Sequence, residues 1–171
     1  MSRPAPRTLA ATLLLAQPLL AGCPEPVDLL LPNAAEVESR YEYEGALEAE
    51  IVGNVVVLTV AQDAEQLRRG GSLWAKVGPY VFLFTEETQT LFEDFNGLGG
   101  VRVTTEVGNA RVATALLARD ELSDVQWRRS LNISGLARRD GTDRVSLLED
   151  LIRWGEEHTE HEYNPRYTHG R

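Results

Sequence analysis

The chain reads as an α+β domain: an antiparallel sheet or open barrel of about six or seven strands with a C-terminal helical hairpin packed on it. Three observations lead there. Gly53-Asn54 and Gly108-Asn109 each sit between strand-like runs, the hairpins they imply have consistent faces, and the last third of the chain changes to a helical period. Strands first and helices last is the α+β order.

Taken in order, residues 37–43 are expected as a first strand, with Tyr41 and Tyr43 sharing a face. In the first hairpin a two-residue loop pairs Ile51 with Val56, Ala49 with Leu58 and Leu47 with Val60, so these six residues share one face while Glu48 and Glu50 point the other way beside Val55 and Val57. Residues 55–60 are apolar on both sides, so cover is expected on both faces of that strand. Asp63 caps a helical turn that reaches Arg69 and stops at Gly70-Gly71. Leu73 to Val77 and Tyr80 to Phe84, broken by Gly78-Pro79, read as a third pair of strands.

Thr85 caps a helix with Glu86 and Glu87 in its first turn, where carboxylates suit the helix dipole. Leu91, Phe92 and Phe95 form its apolar side, and Asn96-Gly97 ends it. The second hairpin pairs Thr105 with Val112, Val103 with Thr114 and Val101 with Leu116, and sets Glu106 opposite Arg111. Ser123 and Gln126 have capping-box spacing and Leu122 sits in the staple position for Trp127, so a helix begins at Asp124 and runs to about Arg139. After the Asp140-Gly141 turn, a second helix carries Leu148, Leu151, Ile152 and Gly155 on one stripe, widened by Leu147 and Trp154.

The N-terminus has a different character. Arg3 and Arg7 precede an apolar run from Leu9 to Leu20, shorter than the roughly 20 residues a spanning helix needs. The run closes on Leu20-Ala21-Gly22-Cys23, which resembles a bacterial lipobox. The resemblance implies a signal peptide over residues 1–22, cleavage between Gly22 and Cys23, and a diacylglyceryl group on the Cys23 thiol. Cys23 is the only cysteine, so an intramolecular disulfide is impossible, and lipidation accounts for a lone thiol in an exported protein. Two acyl chains are enough for stable anchoring. The partner implied is therefore a membrane, with the protein in the cell envelope. Pro24 stands where lipoproteins of enteric bacteria often carry Asp for inner-membrane retention, which favours the outer membrane, facing the periplasm.

Residues 23–36 hold Pro24, Pro26 and Pro32 and read as a tether, leaving residues 37–171 as a single domain: strand-rich over 37–118, helical over 123–158, acidic over 159–171. The whole chain has 17 basic and 26 acidic residues; residues 1–22 contain two arginines and no acid, so the chain from Cys23 on has 15 basic residues and a net charge of −11. Such a surface excludes nucleic acid as a partner.

His158, His161 and His169 lie among Glu156, Glu157, Glu160 and Glu162, and imidazole with carboxylate is zinc-binding chemistry. His158-x-x-His161 would place two rings on one helix face, but the spacing is not that of the helical zinc-peptidase motif. A solvated acidic segment explains the cluster as well. Arg128, Arg129, Arg138 and Arg139, with Arg144 and Arg153, make the helical hairpin locally basic and mark a candidate interaction surface for anionic lipid headgroups, acidic glycans or an acidic protein partner in the envelope, with a solvated helix face as the plain alternative. Trp74, Trp127 and Trp154 are candidates for a ligand pocket or for core. Asp140-Gly141-Thr142-Asp143 lacks the alternating ligands of a calcium loop and reads as a turn. Asn132-Ile133-Ser134 matches a glycosylation sequon but falls inside a helix. Gly97-Leu98-Gly99-Gly100 reads as a helix-to-strand link, since no parallel crossover is expected around it. No nucleophile elbow is present, and no catalytic residue or cofactor is assigned. The expectation is a non-catalytic envelope lipoprotein, with a small metal-dependent enzyme and a small-ligand binding protein as alternatives.

Overall fold

The computed structural model describes residues 28–168. The order of elements is α1 (Ala34–Glu38), β1 (Leu47–Val52), β2 (Val55–Ala61), α2 (Ala64–Val77), α3 (Tyr80–Leu83), α4 (Glu86–Asp94), β3 (Gly100–Val107), β4 (Ala110–Ala118), α5 (Asp124–Asp140), α6 (Val145–His158), β5 (Glu160–Tyr163) and α7 (Pro165–Thr168). The fold is α+β. Its single sheet has the order β1-β2-β3-β4-β5 and is mixed: β2 and β3 run parallel, and every other pair is antiparallel. Five strands in a mixed open sheet replace the six or seven antiparallel strands, or barrel, expected from the sequence.

The difference has three sources. Residues 73–77 and 80–84 are helical, in α2 and α3, so the two hairpins are joined by a helical crossover that leaves β2 and β3 parallel. Parallel neighbours need such a connection. Residues 34–38 form α1, capped by the Asn33 side chain accepting from the Glu36 amide at 2.9 Å, so the expected strand over 37–43 is absent. Residues 160–163 form a fifth strand where a solvated acidic segment was expected.

The first hairpin has the expected register in full, Leu47 opposite Val60, Ala49 opposite Leu58 and Ile51 opposite Val56. The second keeps Glu106 opposite Arg111, but a bulge between Thr105 and Glu106 then shifts every pair by one, to Thr105 with Ala113, Val103 with Ala115 and Val101 with Leu117. An extra residue in one strand moves its later side chains to the other face. The bulge has a use: the Asn164 amide and side chain donate to the carbonyls of Val112 (2.9 Å) and Arg111 (2.7 Å), tying the end of β5 to the kinked strand.

Val56, Leu58, Val60, Val101, Val103, Thr105, Ala113 and Leu117, all fully buried, fall on one face, which packs against Tyr80, Leu83, Phe84, Leu91 and Leu151 of the helices, while Val112, also buried and beside the bulge, packs with Leu67 and Ala75. The other face carries Val55, Val57, Thr59, Thr104 and Leu116 half-buried and Arg102 exposed, so β2 is not covered on both sides as its composition suggested. The expected helices over 86–95, 124–139 and 147–155 are present as α4, α5 and α6. Thr85 caps α4 and the Ser123 amide donates to Gln126 Oε1 at 3.0 Å in the capping box of α5.

The stretch expected to be a tether is attached to the domain from Asp28 onward. Leu30 N–H donates to Asn96 Oδ1 at 2.7 Å, Asn96 Nδ2 donates to the Asp28 carbonyl at 3.2 Å, and Gly97 N–H donates to the Leu30 carbonyl at 2.9 Å. Among the described residues no helix is long and apolar enough to cross a membrane. The lipobox and Cys23 lie outside the described residues.

Candidate functional site

Two adjacent glycines shape the main cavity. Asp63 caps α2 by accepting from the amides of Glu65 (2.6 Å) and Gln66 (3.4 Å), as its sequence position suggests, but Gly70-Gly71 bends the helix instead of ending it. Gly71 has φ 62° and ψ −147°, a conformation closed to residues with a Cβ. Gly70 serves differently: a Cβ there would collide with the Trp74 indole, which lies against the helix one turn on. The kink and the folded-back indole together open a cleft of about 580 Å³ between α2 and the turn joining α5 to α6, lined by Gln66, Arg69, Leu73, Trp74, Thr142, Val145 and Leu148.

A second hollow of about 340 Å³ shares Gln66, Trp74, Thr142 and Leu148 and continues toward Tyr41, Tyr43, Val81, Phe82 and Arg138. Trp74 is thus a wall common to both. Tyr43 stands edge-on to Phe82, ring centroids 5.3 Å apart, and its hydroxyl donates to the Ala61 carbonyl at 2.7 Å, which fixes the aromatic side of the hollow. Arg69, Arg138, Glu42 and Glu87 supply charge around these apolar surfaces. Among the described residues, neither cavity is lined by His or Cys. An apolar surface with a few polar groups suits holding a ligand or a partner's side chain.

The histidines are separated by a change of secondary structure. His158 ends α6, its ring 4.2 Å from that of Trp154 and its Nδ1 3.4 Å from Glu121 Oε1. The helix stops at Thr159, so His161 sits on β5 opposite Ala115 and not on a shared helix face. Its Nδ1 lies 3.3 Å from the Thr159 carbonyl. Among the described residues no group of three or more His, Cys, Asp or Glu side chains is placed to hold a metal ion. His169 lies outside the described residues.

The four candidate arginines of α5 are all exposed and differ in what they touch. Arg129 stacks on Trp154, 4.4 Å from the ring centroid, and Arg139 makes a two-pronged pair with Asp140 at 3.1 and 3.0 Å that holds this carboxyl below the usual carboxylate range. Arg138 points into the second hollow, and Arg128 is exposed. Two of the tryptophans are core. Trp127 packs on Phe92, and Trp154 donates from Nε1 to Ser130 Oγ at 2.8 Å. Asp140 to Asp143 is the turn it was read as, closed by Asp143 and Arg144 amides on the Asp140 carbonyl. Asn132 to Ser134 lies within α5 with Ser134 buried. Gly97 to Gly100 joins α4 to β3, and although a parallel crossover does surround it, the glycines precede a strand where a phosphate loop must follow one.

A polar cluster with no trace in the sequence joins β5 to the helices. The Tyr80 and Tyr163 hydroxyls are 2.6 Å apart, Lys76 lies over the Tyr163 ring at 5.0 Å, and Lys76 Nζ is 3.6 Å from Glu156. Burial pushes the Tyr80 phenol up to about 12, and burial together with the Tyr80 hydroxyl pushes Tyr163 higher still. Both phenols therefore stay protonated and act as hydrogen-bonding pins. The chain matches no protein-family model, and no curated protein or solved structure is significantly similar to it.

Proposed function

We propose that this is a lipid-anchored bacterial envelope protein whose domain works without catalysis, holding a partner or a small apolar ligand at the Trp74 cleft. The observation that carries the anchor is the Leu20-Ala21-Gly22-Cys23 sequence, which closes an apolar run and contains the chain's only cysteine. Support for binding comes from the cavity lining, in which Leu73, Trp74, Val81, Phe82 and Leu148 give apolar surface beside a few polar and charged groups, Gln66, Arg69, Arg138, Glu42 and Glu87 among them. The metal-dependent alternative rested on His158, His161 and His169, and the first two of these face different neighbours.

Mass spectrometry of the mature protein tests the anchor. The expected first residue is Cys23 bearing diacylglycerol, and Cys23→Ser is expected to leave an unprocessed, unlipidated precursor. Mature protein that is unmodified, or that starts elsewhere, overturns the reading. For the cleft, Trp74→Ala should abolish capture of whatever partner or ligand co-purifies with the intact protein, while Arg128→Ala should not.

A further inference from the structure

Three consecutive leucines stand in water where the chain joins the domain. Leu29, Leu30 and Leu31 are 71%, 58% and 43% exposed, although the backbone of Asp28 and Leu30 is fastened to Asn96 and Gly97 by three hydrogen bonds and the next residue, Pro32, is buried. A fastened segment that shows its apolar side chains to solvent needs a partner for them. Two more of the exposed large apolar residues, Val52 and Val125, belong to the same end of the sheet, where β2 and β3 begin, β4 ends and α5 takes its first turn. The Gly99 amide, bonded to the Asn54 carbonyl at 2.7 Å, links the β1–β2 turn to this end.

We propose that this end of the sheet faces the membrane and that Leu29–Leu31 insert at its interface. The inference rests on lipidation of Cys23. Asp28 follows Cys23 by five residues, a reach of at most about 17 Å however the intervening residues are arranged. The lipid holds Cys23 at the boundary of a headgroup layer roughly 6 Å deep, so the leucines lie within range of that layer. Insertion of an apolar surface at the interface typically goes about 5–10 Å deep.

Asp28 adjoins the leucines in sequence, Arg40 is paired with Asp94 at 2.8 Å, and Arg119 is spent on backbone carbonyls. The leucines themselves carry no charge, so their own insertion is hydrophobic and is expected to persist in salt.

The test uses the full lipidated chain, reconstituted into vesicles of phosphatidylethanolamine and phosphatidylglycerol with brominated acyl chains. Leu29→Cys and, as control, Asp143→Cys each add one thiol for an environment-sensitive fluorophore; Asp143 lies beyond the far end of α5, about 25 Å of helix away. Mass spectrometry first establishes diacylglycerol on Cys23. The expected result is bromolipid quenching several-fold stronger at position 29 than at 143, strongest for shallow bromines and not weakened by salt. Equal quenching at the two positions, with position 29 open to aqueous iodide, overturns the insertion while leaving the anchor intact. Absence of lipid on Cys23 overturns the anchor and the insertion together.

Discussion

The hydroxyls of Tyr80, in α3, and Tyr163, in β5, share a hydrogen bond of 2.6 Å across 83 positions of sequence. Gly155 makes the approach possible, since a Cβ there would strike the Tyr80 ring. Removing one hydroxyl leaves the other without this partner, so Tyr80→Phe or Tyr163→Phe alone should cost about 1–2 kcal/mol and the double variant less than the sum. Denaturant unfolding of the three variants measures this.

The same pair sets an alkaline limit. A phenol whose folded pKa lies above its unfolded value stabilises fully below the unfolded pKa, about 10, and loses that contribution as pH rises through the folded value. Tyr80 sits at about 12 and Tyr41, buried beside Thr88, is also raised. Stability should accordingly fall between about pH 10 and 12, and Tyr80→Phe should flatten that fall. An identical alkaline slope in the variant would count against the buried pair.

The faces of β2 make a sharper test. Leu58 is fully buried against the helices, whereas Val57 lies half-buried on the open face between Glu50 and Arg102. Leu58→Asp should cost several kcal/mol because the carboxylate has no partner there. Val57→Asp should cost only about 1 kcal/mol, and Glu106→Ala no more than that. Thermal unfolding should rank the three in that order.

These positions also show what the sequence could tell. The β1–β2 register is legible because a two-residue Gly-Asn turn fixes it and the alternation agrees. The β3–β4 register is not: Val112 and Ala113 are both apolar and both buried, so the pattern does not mark where the extra residue sits. Residues 73–77 and 80–84 are apolar and aromatic, and a short run buried as helix has the same composition as one buried as strand. The cleft was hidden for a related reason. Gly70-Gly71 reads as a helix stop, and only its actual dihedrals turn it into a kink that places Trp74 against the α5–α6 turn. One mark was available, a glycine four residues before a tryptophan, the spacing at which helix side chains meet.

That kink gives its own prediction. Gly71→Ala should cost about 1–3 kcal/mol because its φ is positive and its ψ lies outside the left-handed helical region. Gly70→Ala should instead push the Trp74 indole off the helix and shift tryptophan emission to the red. Trp74→Phe/Gly70→Ala should lack that shift, which assigns it to Trp74 and not to Trp127 or Trp154.

Arg119 closes the helical crossover from the sheet side. Its guanidinium donates to the carbonyls of Phe92 (2.5 Å) in the last turn of α4, Phe95 (2.7 Å) at its C-cap and Leu98 (3.1 Å) in the link that follows, so it satisfies an orphan carbonyl of the helix end and ties the link to it. The positive charge also suits that end of the helix dipole. Three carbonyls spread over one planar fork need arginine geometry, and a lysine would meet them with a single flexible ammonium. Arg119→Ala should therefore cost about 2–3 kcal/mol. Arg119→Lys should recover only part of it. Hydrogen exchange localises the effect: the amides of Phe95 and Leu98, bonded to Leu91 and Phe95 at 3.1 and 3.0 Å, should lose protection in Arg119→Ala while those of β1 and β2 change little. Uniform loss across the domain would mean that Arg119 acts through global stability and not as the cap of α4.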